Sequence, residues 1–218
     1  MSRTTLSGGD TRERLLEAGG QVFSETGFRA ATVREIVRRA GANIAAVNYH
    51  FRDKEGLYAA VLEESARRAV AKYPPYGGLP ADAPAEDKLR AFVRSFLQRI
   101  FDRGQQSVHG KLMAHEMIEP TAALANIVEQ MIRPMYGRLC AVVKTLAGPG
   151  ATIAQVEASA KSIVGQCLFY KHCSPVIERL DGRCPDERDV DALADHIVAF
   201  SLHGLQGPAA SRRKAVRR

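Results

Sequence analysis

The chain has 218 residues, of which 45% are hydrophobic and 25% are charged, and this composition is that of an ordinary globular protein. No N-terminal segment shows the basic and then apolar pattern of a secretory signal, and no apolar run approaches the roughly 18 residues of a membrane span. The four cysteines form no CxxC pair. We therefore expect reduced thiols and a cytoplasmic protein.

The formal net charge of +7 is unevenly placed along the chain. Residues 207–218 contain five Lys or Arg and no Asp or Glu, so most of the net charge lies in this tail. We expect the tail to be disordered. Attraction to nucleic-acid phosphates is one interpretation of it, and a merely solubilising end is the other. The overall charge is therefore weak evidence for a nucleic-acid partner.

A first helix is predicted for residues 11–25, where apolar residues recur at helical spacing and Gly27 follows as the end of the helix. Gly19 and Gly20 lie inside it, and each costs about 1 kcal/mol relative to alanine. We expect the close approach of another helix to offset this cost.

Two short helices are predicted between residues 32 and 57. The first is Val33–Ala40, with Thr32 as its N-cap and an apolar stripe along one face. Gly41 gives the backbone freedom to turn, and Asn43 is the N-cap of a second helix, Ile44–Phe51. Two helices joined by such a turn are typical of the helix-turn-helix, whose second helix enters the major groove of DNA.

The residue types of the second helix suit contact with DNA. We expect Ile44 and Val47 to anchor it to the core, with small and polar side chains on the other side. Alanine methyl groups can contact thymine, and Asn48 can pair with an adenine edge or with a phosphate. Thr32, Tyr49, His50 and Lys54 suit phosphate oxygens, whereas the alternative for the Tyr-His pair is simple packing or exposure to solvent. The predicted DNA-binding residues are Thr32, Asn43, Ala45, Ala46, Asn48, Tyr49, His50 and Lys54.

The remaining sequence is helical, with breaks. Asp53 caps a helix of about residues 54–72, and residues 73–84 form a Pro- and Gly-rich loop. Further amphipathic helices follow, one of them with a bend expected at Pro134, and no alternating strand pattern of useful length occurs. The predicted fold is all-α, with a three-helix DNA-binding domain in residues 1–55, a helical ligand-binding and dimerisation domain in 56–206, and the basic tail in 207–218.

Residues 10–58 resemble the N-terminal DNA-binding domain of the TetR family of bacterial transcriptional regulators. The matching positions are Phe23, Gly27, Phe28, Thr32, Ile36, Ala40-Gly41, Tyr49-His50-Phe51, Lys54-Glu55 and Leu57-Tyr58. The run Asn43–Phe51 is similar to one subgroup, whose C-terminal domain of unrecorded function is matched by His115-Glu116, Glu119-Pro120 and Ile132-Arg133-Pro134. Asn43 stands where the family more often has Ser, and Ala46-Val47-Asn48 replaces a usual small pair, which affects base specificity.

The resemblance implies a homodimer formed by the last two long helices, about residues 152–172 and 186–205. It also implies a repressor that binds a palindromic operator and is released by a small-molecule effector held within the C-terminal bundle. The candidate pocket residues are Phe92, Phe96, Met113, Met117, Met131 and Met135, for which ordinary core packing is the alternative. No cofactor is predicted.

Other functions have weaker support. The chain has no Gly-rich phosphate loop and no nucleophile elbow, and the His115 and Glu119 pair has no second pair to complete a metal site, so we do not expect an enzyme. The main alternative is an all-α ligand-binding or protein-interaction module without sequence-specific DNA binding. Five arginines of the helix-turn-helix region oppose that alternative: Arg29, Arg34, Arg38, Arg39 and Arg52.

Overall fold

A computed structural model describes residues 8–102 and 107–206. All regular structure in these residues is helical, which confirms the all-α prediction. The helices are α1 (Gly8–Ala30), α2 (Val33–Ala40), α3 (Ile44–Phe51), α4 (Lys54–Lys72), α5 (Ala85–Phe101), α6 (Ser107–Ile118), α7 (Ala122–Ile127), α8 (Arg133–Ala147), α9 (Ile153–His172), α10 (Ser174–Asp181) and α11 (Val190–Gln206). The predicted basic tail lies outside the described residues.

The chain forms two compact units, each with its own core. Of the described residues, the first unit contains 8–72 and 107–132, with α1–α4, α6 and α7. The second contains 73–102 and 133–206, with α5 and α8–α11. The predicted boundary after residue 55 does not coincide with these units, because Leu57 and Leu62 of α4 are buried in the first core. The assignment of DNA binding to residues 1–55, and of ligand binding and dimerisation to residues 56–206, stays a prediction.

The first unit is organised around α1. A Cβ atom on Gly19 would lie 3.1 Å from the Val61 side chain of α4, and one on Gly20 would lie 3.3 Å from Val108 of α6. The close helix packing predicted for the two glycines is thus confirmed on two sides of α1. Gly27, at φ 76° and ψ 170°, interrupts α1 near the predicted end, and the backbone is helical again as far as Ala30.

The second unit buries the apolar stripe of α5 against α8, α9 and α11. Two charged residues of this unit are buried, Arg99 at 7% exposed and Asp102 at 6%, and Arg99 donates from Nη1 to the Tyr73 carbonyl at 2.7 Å and to Ser95 Oγ at 2.6 Å. Burial lowers the pKa of Arg99 to about 10, so the guanidinium is still charged at neutral pH. Arg99 therefore holds the start of the 73–84 loop on α5.

The sequence predicts a bend at Pro134, and the structure has a π-helical segment, Val128–Ile132, that ends two residues before this proline. Proline donates no backbone hydrogen bond and crowds the preceding turn, so a wider turn there is physically reasonable. A 3-10 turn, Glu187–Asp189, precedes α11. Among the described residues, no helix is both long enough and apolar enough to cross a membrane.

Candidate nucleic-acid interface

The ends of α2 are fixed by capping interactions. The Thr32 hydroxyl accepts a hydrogen bond from the Glu35 N–H at 3.2 Å, as its sequence position predicts. At the other end Gly41 is left-handed, with φ 58°. Arg14 of α1 donates to the Ala40 carbonyl at 2.7 Å, which fastens the end of α2 to the first helix of the unit. The turn between α2 and α3 is therefore held at a defined angle.

Helix α3 is fixed by its N-cap and by two buried side chains. Asn43 Oδ1 accepts a hydrogen bond from the Ala46 N–H at 2.9 Å, which confirms the predicted cap. Val47 is fully buried and Phe51 is 8% exposed. These residues are four apart and share one face of the helix. The opposite side of α3 is left exposed.

The prediction that Ile44 anchors α3 to the core is wrong. Its side chain is 51% exposed, whereas Ala46, which was expected to face DNA, is half-buried and packs against the core. The helical rotation of 100° per residue places Ile44 at the edge of the buried face, about 20° from the buried Phe51 and about 40° from the exposed Asn48. Ile44 also lies in the first turn, where the line of buried residues has ended.

The exposed face of α3 consists of Ile44, Ala45, Asn48 and Tyr49. Tyr49 is 84% exposed, and its ring meets the His50 ring edge-on with 4.9 Å between centroids. His50 is half-buried between this face and Phe51, whose ring centroid lies 6.0 Å away. The structure therefore brings Ala45, Asn48 and Tyr49 together on one surface, as predicted, and adds Ile44 to them.

A tight junction connects α3 to α4. The Asp53 carboxylate accepts from the Gly56 N–H at 2.7 Å, which confirms Asp53 as the N-cap of α4. This hydrogen bond and the one from Arg52 at 2.8 Å lower the pKa of Asp53. Arg52 has φ 73°, a strained value for a residue other than glycine. A Cβ on Gly56 would lie 1.9 Å from the Phe51 carbonyl oxygen, so this turn requires glycine.

Lys54 is less free than its sequence position suggests. Its ammonium nitrogen lies 3.3 Å from the Arg29 carbonyl oxygen and 4.6 Å from the centroid of the Phe28 ring. The cation is therefore positioned at the start of α4 by the end of α1. A hydrogen bond to a carbonyl and a cation–π contact leave its charge unneutralised, so Lys54 still attracts phosphate.

The arginines near α3 differ in their partners. Glu35 accepts hydrogen bonds from both Arg38 and Arg39, and these lower the pKa of Glu35 to about 2. Arg29 pairs with Glu119 at 3.3 Å. Arg34 is exposed and has no ion-pair partner among residues 8–102 and 107–206. Sequence reasoning gave all five arginines equal weight, and only the pairing shows that Arg34 can meet a phosphate without breaking an ion pair.

A buried cluster of hydrogen-bonded side chains connects α4 and α6 in the first unit. The Tyr58 hydroxyl of α4 donates to Glu116 Oε1 of α6 at 2.6 Å, and Glu116 is 1% exposed. The Thr121 N–H and hydroxyl donate to the same carboxylate, each at 3.0 Å. Burial and the carboxylate raise the pKa of Tyr58. This cluster was not found from the sequence, because Tyr58 lies 58 residues from Glu116 along the chain.

The six predicted pocket residues do not share one unit. Phe92 and Phe96 are in the second unit, with ring centroids 6.2 Å apart. Met113 and Met131 pack against the first core, Met117 is 52% exposed, and Met135 is half-buried in the second unit. The six residues therefore do not all belong to one core, and a pocket formed by them stays a prediction.

Known domain families match both parts of the chain. The family of bacterial regulatory proteins called tetR matches residues 15–61, and the C-terminal domain of the HTH-type transcriptional dual regulator CecR matches residues 85–205. The chain belongs to the TetR family of bacterial transcriptional regulators. It is thus a DNA-binding regulator and not an enzyme.

Individual relatives agree with this assignment. The HTH-type transcriptional dual regulator CecR of Shigella flexneri is 27% identical over 77% of this chain and 78% of its own length. The HTH-type transcriptional regulator UidR of Escherichia coli K12 is 29% identical over 52% of this chain and 55% of its own length. Membership of the subgroup indicated by residues 43–51 stays a prediction.

Solved structures have the same fold. A transcriptional regulator from Rhodococcus sp. Rha1 is 24% identical, with a TM-score of 0.64 over 88% of this chain and 96% of its own. A TetR-like transcriptional regulator from Rhodococcus sp. RHA1 is 21% identical, with a TM-score of 0.65 over 91% of this chain and 97% of its own. Regulators of the TetR family bind DNA, form dimers and respond to small-molecule effectors.

Proposed function

We propose that this TetR-family chain is a repressor that binds a palindromic operator as a homodimer and leaves it when a small molecule binds. It acts in the cytoplasm, where bacterial DNA lies. The observation that carries the proposal is the geometry of α3. Its N-terminus is capped and one face is buried, whereas the face with Asn48 and Tyr49 is open to solvent. A helix held outward in this way can enter a major groove.

The contacts divide into two groups. Thr32, Tyr49, His50 and Lys54 contact phosphates, with Arg34 as an additional cation, and they position the helix. Ala45 and Asn48 face the bases. Asn43 has given its side-chain oxygen to the cap and keeps only its amide N–H groups for DNA. The half-buried Ala46 lies at the groove edge.

Two substitutions test this division against DNA duplexes selected by the chain from a random pool. Lys54→Gln is expected to weaken binding about equally for all sequences and to lower the salt slope by about one. Asn48→Ala is expected to change the base preference at one position by about 1–3 kcal/mol. The matched control is Lys88→Gln in α5 of the second unit, because Lys88 also lies near a helix start and donates to a backbone carbonyl.

The affinity of each variant for the selected duplexes is measured at several salt concentrations. If Lys54→Gln altered sequence preference but not salt dependence, the assignment of roles would be wrong. If the chain selected no sequence at all, it would be the non-DNA-binding module considered above.

The proposed dimer surface lies on α9 and α11. Their outer sides carry exposed large apolar residues, with Phe169 50% exposed and Phe200 65% exposed. Four small residues of these helices are also exposed, Ala158, Ser162, Gly165 and Gly204, whereas Ala194 and Ser201 are buried within the unit. Exposed aromatic and small residues on two neighbouring helices suit packing against a second copy.

Oligomeric state tests the dimer surface. Phe200→Glu is expected to shift the chain from dimer to monomer in sedimentation equilibrium and to reduce operator affinity, because one recognition helix contacts few bases. Ile118→Glu is the control, since Ile118 is 80% exposed but lies on α6 of the first unit. A Phe200→Glu chain that stayed dimeric would place the interface elsewhere.

The proposed effector site is in the second unit around Phe92 and Phe96. The Tyr76 ring lies 6.4 Å from Phe92, and its buried hydroxyl has no hydrogen-bond partner among the described residues. The Arg99 guanidinium lies 5.5 Å from the centroid of Phe96. An aromatic cluster that ends in a buried, unpartnered donor suits an apolar ligand with an acceptor group.

A panel of apolar small molecules added to operator complexes tests the effector site. At least one compound is expected to release the DNA, and Tyr76→Phe is expected to weaken that response without changing operator affinity in the absence of compound. Failure of every compound to change operator affinity would argue against an effector of this kind.

A further inference from the structure

Ile44 is a large apolar side chain that the fold leaves open on the DNA-facing side of α3. It is the first residue of the helix, and it is 51% exposed although the neighbouring core is well filled. A single exposed isoleucine is ordinary on a protein surface. Its position is informative, because the N-terminal residues of a recognition helix contact base edges.

The residues next to Ile44 indicate which bases this face of α3 can contact. No Lys or Arg occurs in α3, so the helix lacks the side chains that most often recognise guanine. Ala45 contributes only a methyl group. Asn48 follows Ile44 by four residues, so the two side chains are neighbours on the helix surface. The exposed face therefore begins with apolar groups and continues with one carboxamide.

We propose that Ile44 selects thymine by packing against its C5-methyl group, one helical turn before Asn48 contacts adenine. This inference rests on the proposed insertion of α3 into the major groove. Thymine is the base that presents a methyl group there. Cytosine at the same position would place its N4 amino group against a side chain that cannot accept a hydrogen bond, which costs free energy of desolvation. The preference for thymine over cytosine then has two sources: the contact with the thymine methyl group and the desolvation cost of the cytosine amino group.

Deoxyuridine provides a direct test, because it lacks only the C5-methyl group of thymine. The full chain is used to select duplexes from a random pool, and each thymine of the selected half-site is replaced in turn by deoxyuridine. With the unmodified chain, one position is expected to lose affinity by about fourfold, the value for one buried methyl group. With Ile44→Ala, the same replacement is expected to have no effect.

Ile118→Ala is the matched control, because it makes the same change at an 80% exposed isoleucine of the first unit that lies outside the helix-turn-helix. It should retain the full loss of affinity with deoxyuridine. Circular dichroism checks that Ile44→Ala is folded; if it is not, Ile44→Val, which removes one methyl group, should reduce the loss at the same position.

Three results would overturn the inference. The loss with deoxyuridine could persist in Ile44→Ala, or no thymine could show a loss, and in either case DNA binding by α3 would stand while the role of Ile44 would not. If no duplex were enriched from the pool, the proposed function would fail and this inference with it.

Discussion

Gly56→Ala tests the junction that holds α3 in position. Within a helix, replacing glycine by alanine normally stabilises a protein by up to about 1 kcal/mol. Here the new Cβ would lie 1.9 Å from the Phe51 carbonyl oxygen, and real Cβ contacts essentially never fall below 3.0 Å. The backbone between α3 and α4 must therefore open by about 1.1 Å. The clash involves a carbonyl group and not a flexible side chain, so no rotamer change relieves it.

The cost of this opening is of the order of overpacking a core, about 3 kcal/mol. Moving Phe51 also disturbs the buried side of α3 and the Asp53 cap. For a chain of this length, a loss of about 3 kcal/mol lowers the midpoint of thermal unfolding by about 6–12 °C. Operator affinity is expected to fall together with stability, because α3 changes its angle.

The control is Gly110→Ala in α6 of the same unit, where nothing lies within 4 Å of the added Cβ. Thermal unfolding followed by circular dichroism should show equal or higher stability for this variant. If Gly56→Ala were as stable as Gly110→Ala and bound operator normally, the close approach of Phe51 to Gly56 would not be what fixes the angle between α3 and α4.

Three further predictions concern side chains that are buried or ion-paired: Tyr58, Cys167 and Glu35. Tyr58→Phe removes the donor to the buried Glu116 carboxylate and is expected to cost about 1–3 kcal/mol in urea unfolding, whereas Tyr49→Phe, at an 84% exposed position, should leave stability unchanged and weaken DNA binding. Cys167 is fully buried and burial raises its pKa to about 12, so native-state alkylation followed by mass spectrometry should modify the other three cysteines first; early modification of Cys167 would refute this. Glu35→Gln frees Arg38 and leaves Arg39 paired only with Glu25 at 2.9 Å, so it should raise affinity for any duplex with a steeper salt dependence. An unchanged salt slope in Glu35→Gln would show that these arginines do not contact DNA. The pKa of Glu35 is lowered to about 2, so the contribution of this ionised carboxylate to the free energy of unfolding is present above its ordinary pKa of 4.5. It is lost only as pH falls towards 2.

Local features of the fold could be predicted well from the sequence. The bounds of α2 and α3, the caps at Thr32, Asn43 and Asp53, and the close packing at Gly19 and Gly20 all follow from interactions between residues near in sequence or from the small size of glycine. Helical periodicity is strongest in such segments, so the assignments there depend little on the rest of the chain.

Features set by distant contacts could not be predicted in this way. The exposure of Ile44 depends on where the core ends, and the bond between Tyr58 and Glu116 joins residues 58 positions apart. The six predicted pocket residues are divided between the two units, because Phe and Met fill any core equally well, and a pocket formed by them stays a prediction. Residue type alone therefore does not determine to which unit a Phe or Met belongs.

The composition of α3 also separates the affinity of this regulator from its specificity. Since α3 contains no Lys or Arg, the cations that neutralise phosphates must come from neighbouring segments, such as Arg34 of α2 and Lys54 of α4. Phosphate contacts set affinity and salt dependence, whereas contacts to base edges, which we propose for the uncharged face of α3, set sequence preference. Substitutions at Ile44 and Asn48 should therefore change which sequence is bound at nearly constant salt slope, and substitutions at Arg34 and Lys54 should do the reverse. A helix whose base-contacting face carries no charge can change its operator without changing its general attraction to DNA.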